Sequence, residues 1–284
     1  MSNTRIDSSL AEASRMLSAS PTPRLDAELL LAHTLNKPRS YFFTWPEALL
    51  TTEQLTSFQD LVEQRKSGVP VAYLTGFREF WSLQLKVTEA TLIPRPDTEL
   101  LVELALDPNL SKEKVSGIRV VDLGTGTGAI ALALAKERPV WKITAIDKSA
   151  EALAVARENA ISNGIRNVDF MEGSWCSPLS EASIDMIVSN PPYIRNDDPH
   201  LNEGDVRYEP MTALSSGSDG LDDIRTIASE SLLTLKPGGW LLLEHGYDQG
   251  KAVQNILTLE GFTQIRTEVD LAGHDRVSLA QKPT

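Results

Sequence analysis

The sequence predicts an α/β fold. A mainly parallel sheet of seven strands is wrapped by helices on both faces, has an antiparallel end, and follows a small all-helical domain. Three observations predict it. Apolar residues at helical spacing fill the first part of the chain. From residue 118 short apolar runs alternate with helical segments, which is the pattern of a parallel sheet with crossover helices. The charge shifts at the same boundary: residues 1–80 hold 8 Lys/Arg and 9 Asp/Glu, and residues 81–284 hold 19 and 30.

The helical part starts at Ile6–Ser18, where Ile6, Leu10, Ala13 and Leu17 form one stripe. Pro23 opens a second helix, with Leu25, Leu29, Ala32 and Leu35 in step. Pro38 and Pro46 punctuate the stretch after it. Thr51-Thr-Glu-Gln54 has the form of a capping box ahead of Leu55, Phe58, Leu61 and Val62, and Gly68 and Pro70 end that helix. This outlines a domain over residues 1–75. Residues 76–97 read as a linker. Phe77–Thr88 alternates Leu83, Leu85 and Val87 with polar residues, as a β-hairpin does. Pro94-Arg-Pro96 is extended, because each proline restrains its predecessor. The larger domain is predicted over residues 98–284.

Asp97 and Thr98 are N-cap candidates for a helix over Glu99–Leu106. Ile118–Leu123 is a buried strand, Gly124–Gly128 a turn, and Ala129–Glu137 a helix. Lys142–Ile146 is a second strand ending at Asp147. Ser149 caps a helix that Gly164 closes. Val168–Met171 and Ile184–Ser189 are the third and fourth strands. A polar loop of about 25 residues comes after Tyr193, longer than most connections and therefore functional or mobile. Leu221–Leu235 is helical, Trp240–Leu243 a buried strand, and Asp248–Glu260 a helix. Thr263–Val269 and Arg276–Ala280 form the closing antiparallel pair.

Composition excludes several classes. The 284 residues are 41% hydrophobic and 23% charged, too balanced for a disordered or collagen-like chain. The net charge of −12 disfavours gripping nucleic acid by its phosphates, so no stable nucleic-acid binding is expected. One cysteine, Cys176, cannot form an intrachain disulfide, and with four scattered histidines it makes no structural zinc site. No segment has signal-peptide or membrane-span character. The expectation is a cytoplasmic monomer with no bound metal.

The turn Asp122-Leu-Gly124-Thr125-Gly126-Thr127-Gly128 joins the first strand to the first helix of the sheet. Glycines there let a ligand approach backbone amides at the carboxyl edge of the sheet. Asp147, about 20 residues later, is placed for the two hydroxyls of a ribose. Gly124-x-Gly126-x-x-Ala129 also fits a dinucleotide fingerprint, so the turn leaves a nicotinamide dinucleotide and S-adenosylmethionine both open.

Asn190-Pro191-Pro192-Tyr193 comes after the fourth strand, so it sits at the same edge. Two prolines make a rigid extended bracket whose carbonyls accept but whose nitrogens cannot donate. Asn190 adds an acceptor and two donors, and Tyr193 an aromatic face. Such a set can accept both N–H bonds of a planar amide or amine and stack on its plane.

Asp122–Gly128 together with Asn190–Tyr193 resembles the S-adenosylmethionine-dependent methyltransferases of Rossmann-like fold that act on planar nitrogen. With Pro94-Arg95-Pro96-Asp97-Thr98-Glu99 and the helical domain, nearly the whole chain resembles the peptide-chain release factor glutamine methyltransferases, the HemK/PrmC family. The resemblance implies methylation of the glutamine side-chain amide in the Gly-Gly-Gln motif of release factors, which would be the partners, with S-adenosylhomocysteine as product. It implies that Gly124, Thr125, Gly126, Thr127 and Gly128 line the cofactor, Asp147 takes its ribose, and Trp175 lies near its adenine. Asn190 and the Pro191 carbonyl would hold the substrate amide in the catalytic step, and Pro192 and Tyr193 would shape the pocket. Asn-Pro-Pro-Tyr alone is shared with adenine N6-methyltransferases. That activity, and glutamine methylation of a ribosomal protein, are the alternatives.

Other residues are read more plainly. Cys176 has no basic neighbour to activate it. His245 lies after the fifth strand and is read as structural or solvated. Asp197, Asp198, Glu203, Asp205 and Glu209 form an acidic loop that is either simply solvated or a lid or docking surface for a basic partner. Glu99 matches the family segment and also suits a first helical turn.

Overall fold

Helices fill the first part of the chain. The computed structural model describes residues 4–111 and 117–284, so the first three residues of the N-terminal stretch lie outside the described residues. Helices α1 (Ile6–Met16), α2 (Pro23–Leu35), α3 (Ser40–Thr44), α4 (Thr52–Lys66) and α5 (Val71–Thr75) enclose a core of their own around Leu10, Leu30, Leu31, Phe42 and Phe58. The Thr51 capping box forms as expected: Gln54 N–H donates to Thr51 Oγ1 at 3.1 Å, and the Gln54 side chain accepts from Thr51 N–H at 2.9 Å. Two acids are buried in this core. Glu28 receives Arg24 and Arg39, and Asp26 receives the buried Arg65, whose other side meets Asp205 at 2.6 Å. By contacts, Met1–Phe77 and Glu203–Tyr208 form one unit, and Arg78–Asn202 with Glu209–Thr284 form the other. The five-residue α3 and α5 are too short to show a period in the sequence.

Strands β1 (Phe77–Phe80), which starts at the last residue of the first stretch, and β2 (Leu83–Lys86) come next, then α6 (Glu99–Ala105) and α7 (Pro108–Ser111). Trp81 and Ser82 turn the hairpin at φ 51° and 54°, which side chains rarely adopt. Their amides are satisfied by carboxylates: Trp81 N–H donates to Glu99 at 2.9 Å and Ser82 N–H to Glu79 at 2.8 Å. Thr98 stands at the N-cap position of α6 as expected, but its side chain makes no capping bond: Pro96–Thr98 forms a 3₁₀ turn, and the Thr98 hydroxyl is bonded elsewhere.

The sheet comprises β3 (Arg119–Leu123), β4 (Lys142–Asp147), β5 (Val168–Glu172), β6 (Ile184–Ser189), β7 (Leu235–Glu244), β8 (Thr263–Val269) and β9 (Asp275–Gln281). Helices α8 (Ala129–Glu137), α9 (Ala150–Ser162), α10 (Asp222–Thr234) and α11 (Gly250–Glu260) connect them. The order is β5-β4-β3-β6-β7-β9-β8, parallel through β7 and antiparallel at β9 and β8, as expected. Strand alternation divides the core. Val120, Ile143, Met186, Val188 and Leu242 pack on one face with α6 and α8; Val121, Leu123, Ile187, Leu241 and Leu243 pack on the other with α10 and α11.

Most boundaries agree within a residue or two, and the start of β7 differs most. Strand β7 starts at Leu235 and not at Trp240. Its pairing with β6 jumps from Leu235 to Trp240 while β6 moves only from Ile184 to Met186, so the Lys236-Pro-Gly-Gly239 run is absorbed as a bulge. Helix α11 starts at Gly250 and not at Asp248.

One buried side chain ties these elements together. Asn159 on α9 accepts from Lys86 N–H at 2.7 Å, and its amide donates to Lys86 O at 3.0 Å and Thr127 O at 2.9 Å. It joins the hairpin to the glycine turn. Asn159→Ala removes a hydrogen-bond partner from one buried and two part-buried backbone groups, so urea unfolding is expected to show a loss of about 2–4 kcal/mol. Asn163→Ala, at a more exposed bond to Gln84 O, is expected to lose less than half of that.

Candidate active site

The sheet order reverses between β3 and β6, and open α/β sheets bind ligands at such a point. A cleft opens there, with about 700 Å³ of empty space including its mouth. Gly124, Gly126, Asp147, Trp175, Asn190 and Pro192 line it together. These six come from the ends of three strands and the loop after β5.

The glycine turn is held from below. Gly124 N–H and Thr125 N–H both donate to Ile146 O, at 2.9 and 3.0 Å. Gly124 has φ 71°, and a Cβ there would sit 3.3 Å from the Trp175 ring. Gly126 has φ 54°, and a Cβ there would meet no protein atom within 4 Å, so the open space beside it belongs to the cleft. Thr125, Thr127 and Gly128 are not among the cleft-lining residues. The Thr125 hydroxyl turns inward to Asp122 at 2.6 Å, Thr127 is buried, and Gly128 packs on Leu132 and Ala156.

Asp147 is fixed by backbone. Gly126 N–H donates to its Oδ2 and Ser149 N–H to its Oδ1, both at 2.9 Å. Each oxygen keeps a second lone pair. Asp122, fully buried, accepts from Thr125 Oγ1 and Ala131 N–H through Oδ2, while Oδ1 has no partner among the described residues. Burial pushes its carboxyl up to about 7, the Thr125 and Ala131 bonds oppose this, and the charge of Asp147 adds to it. Trp175 stands at φ 47°, a backbone state unusual for an aromatic residue, which swings the indole over Gly124.

The Asn-Pro-Pro-Tyr bracket is held at both ends. Asn190 Nδ2 donates to Thr98 Oγ1 at 3.1 Å. Tyr193 N–H donates to Leu214 O at 3.2 Å, and Gln249 Nε2 donates to Tyr193 O at 2.9 Å. Gly220 passes so close to Tyr193 O that an added Cβ would lie 2.2 Å from it. Pro191 and Tyr193 are not among the lining residues. Burial and the facing Glu244 raise the Tyr193 phenol above its usual range.

Several lining residues carry no motif of their own: Ala90, Leu92, Lys148, Ser149, Pro210, Thr212 and Ala213. Lys148 and Ser149 adjoin Asp147, and that adjacency is a signal in the sequence. The others come from segments brought in by folding. Glu209, expected within a polar acidic loop, is instead buried. It takes Arg95 as an ion pair and Ile93 N–H at 3.0 Å, pinning the loop to the segment that carries Leu92. Three 3₁₀ turns lie in the loop, and Ile194 pairs with Ser215. His245 is fully buried between Ser278 Oγ and Gly246 O, a structural role, with burial lowering its pKa. Cys176 is buried, which pushes its thiol up to about 11.

Residues 8–76 match the family model of the PrmC N-terminal domain, and residues 97–203 match the methyltransferase small domain. The release factor glutamine methyltransferase of Vibrio cholerae is 53% identical over 98% of this chain and 97% of its own length. The chain belongs to the release factor glutamine methyltransferase family. The relative of that name from Escherichia coli is 47% identical over 96% of this chain and 97% of its own. Solved structures share the fold at lower identity. A methyltransferase from Pyrococcus furiosus superposes with TM-score 0.54 at 18% identity, over 80% of this chain and 98% of that one. The 16S rRNA methyltransferase RsmC of Thermus thermophilus, in complex with AdoMet and guanosine, gives 0.51 at 22% identity, over 72% and 49%. The Rossmann-like methyltransferase fold and the enzymatic class expected from the sequence both stand.

In this family member the raised Asp122 pKa has a consequence for stability. The folded state holds the proton more tightly than the unfolded state, where an aspartate titrates at 3.8. The contribution is therefore present at acid pH and is lost as pH rises toward about 7. Asp122→Asn is expected to flatten part of the fall in unfolding free energy between those values, measured by urea unfolding across pH.

Proposed function

We propose that this protein transfers a methyl group from S-adenosylmethionine to the side-chain amide nitrogen of the glutamine in the Gly-Gly-Gln motif of release factors. The observation that carries the reading is the pairing, in one cleft, of a glycine cradle and Asp147 with Asn190. The donor set fits the cofactor. Gly126 leaves open space where any side chain would intrude, Asp147 keeps free lone pairs for two hydroxyls, and Trp175 offers a flat apolar face.

When bound, S-adenosylmethionine supplies an electrophilic methyl group, whose carbon–sulfur bond breaks as the amide nitrogen–carbon bond forms, leaving S-adenosylhomocysteine. The residues of this chain do the positioning. An amide nitrogen is a poor nucleophile because its lone pair is delocalised. Asn190 Oδ1 and the Pro191 carbonyl would each accept one N–H of that amide, aiming the nitrogen and favouring localisation of its lone pair. Pro192 and Tyr193 keep the bracket rigid, and the excess proton leaves after the new bond forms. Orientation of this kind is worth several kcal/mol, up to ~7–11 in favourable cases.

The same reading takes the protein as a cytoplasmic monomer whose partners are release factors and not nucleic acid. The net charge of −12 supports the last point. Among the described residues no helix is long and apolar enough to cross a membrane.

Three outcomes are expected. Incubation with labelled S-adenosylmethionine and a release factor places label on the Gly-Gly-Gln glutamine; label absent there refutes the reading. Asn190→Ala lowers kcat by ~10²-fold or more while calorimetry still detects cofactor binding. Asp147→Ala weakens cofactor binding by about 10- to 100-fold, since it removes hydrogen bonds to a charged acceptor.

A further inference from the structure

Neither Arg95 nor Glu209 lines the cleft, yet their chain neighbours do: Leu92 ahead of the first, and Pro210, Thr212 and Ala213 after the second. The Glu209 side chain is fully buried, while Asp197 and Glu203 of the same loop are exposed. Its Oε1 takes an ion pair from Arg95 Nη2, and its Oε2 accepts from the buried Ile93 N–H at 3.0 Å. Arg95 stands between two prolines in extended backbone, at φ −97° and ψ 144°, the state to which a residue before proline is held. Its side chain is 33% exposed. Ile93, Arg95 and Glu209 all belong to the unit that holds the sheet.

Residues 210–213 are tied at both ends. Glu209 fastens one end to the linker. At the other end Leu214 O accepts from Tyr193 N–H at 3.2 Å and from Ile194 N–H at 2.9 Å. Three of the four residues between these ties face the cleft. We propose that Arg95 and Glu209 are positioning residues for the cofactor, their ion pair fixing residues 210–213 and Leu92 as one wall of the cleft that also contains Gly126, Asp147 and Trp175. This rests on the reading of that cleft as the S-adenosylmethionine site. A wall already in place loses little entropy when a ligand arrives, whereas a loose one must be ordered by the ligand and weakens its binding. The two partners are not equivalent. A buried carboxylate that loses its cation keeps its desolvation cost. Arg95, partly exposed, can turn to water. Removing Arg95 therefore does more harm than neutralising Glu209, and neutralising Glu209 in addition recovers part of the loss.

The test measures the Kd of S-adenosylhomocysteine for the full-length protein by calorimetry, beside transfer rates with labelled S-adenosylmethionine and a release factor. Arg95→Ala is expected to weaken binding about 10- to 100-fold, and Glu209→Gln, which can still accept from Ile93 N–H, about 3- to 10-fold. The double variant R95A/E209Q is expected to bind more tightly than Arg95→Ala, as the two members of one ion pair are not additive. Arg95→Lys, which keeps a cation, is expected to recover most of the loss. At saturating S-adenosylmethionine kcat is expected to stay within about threefold of wild type, the loss lying in the cofactor KM. Lys236→Ala breaks an ion pair with Asp185, neither of which lines the cleft, and is expected to leave Kd within about twofold. Should Arg95→Ala fail to fold, Glu209→Gln and Arg95→Lys decide. The proposal is overturned if Glu209→Gln binds as wild type does, if the double variant shows the full sum of both losses, if the loss lies only in kcat, or if Lys236→Ala weakens binding as much. Wild-type binding of S-adenosylhomocysteine beside any of these results overturns this inference alone. A wild-type protein that binds none overturns the cofactor reading as well.

Discussion

The cleft depends on the register between β3 and β6. Leu123 pairs with Ser189, and Ser189 Oγ donates to Leu123 O at 2.7 Å. The next residue on each strand is Gly124 or Asn190, so the pairing delivers the glycine turn and the bracket to one place. A slip of one residue would flip every side chain of a strand to the opposite face. It would also carry Val121 and Leu123 out of one core and into the other. The apolar packing of both sheet faces therefore holds the register, and through it the distance between the two motifs.

Polar groups buried at this edge cost stability and serve the cleft. Asp122, Ser189, Thr98 and Glu244 are all essentially inaccessible. Asp122 and Glu244 are both driven by burial toward the neutral form. An apolar residue in either place would pack without that penalty. Asp122 ties the glycine turn to the first turn of α8, and Glu244 ends β7 inside the protein. The wall opposite is held by a third buried acid, Glu209, which joins a loop and a linker about 115 positions apart in sequence.

Much of the fold could be read from residue order. The strand–helix alternation, the antiparallel end and the Thr51 and Ser149 caps are local patterns, and local hydrogen bonds and periodicity make them. The misreadings have physical causes. Thr98 holds the cap position, but its hydroxyl serves Asn190, a partner 92 residues away that the sequence does not show. The strand was expected only from Trp240, where the apolar run starts, yet a bulge lets it carry Pro237 and begin at Leu235. Glu209 was read with its acidic loop as solvated or part of a lid or docking surface; Arg95 takes it inside instead.

By itself the sequence determined the two motifs, the strands that end in them, and hence the edge of the sheet where chemistry would lie. Spacing along the chain suffices for that, since a strand's end and the turn after it are contiguous. Only the tertiary structure decided which side chains face the cleft and which turn inward. It set Thr125 and Thr127 away from it, brought Leu92 and Pro210 to it, and joined Thr98 to Asn190. Those choices rest on partners far apart in the chain, joined by burial and hydrogen-bond direction, which residue order does not record.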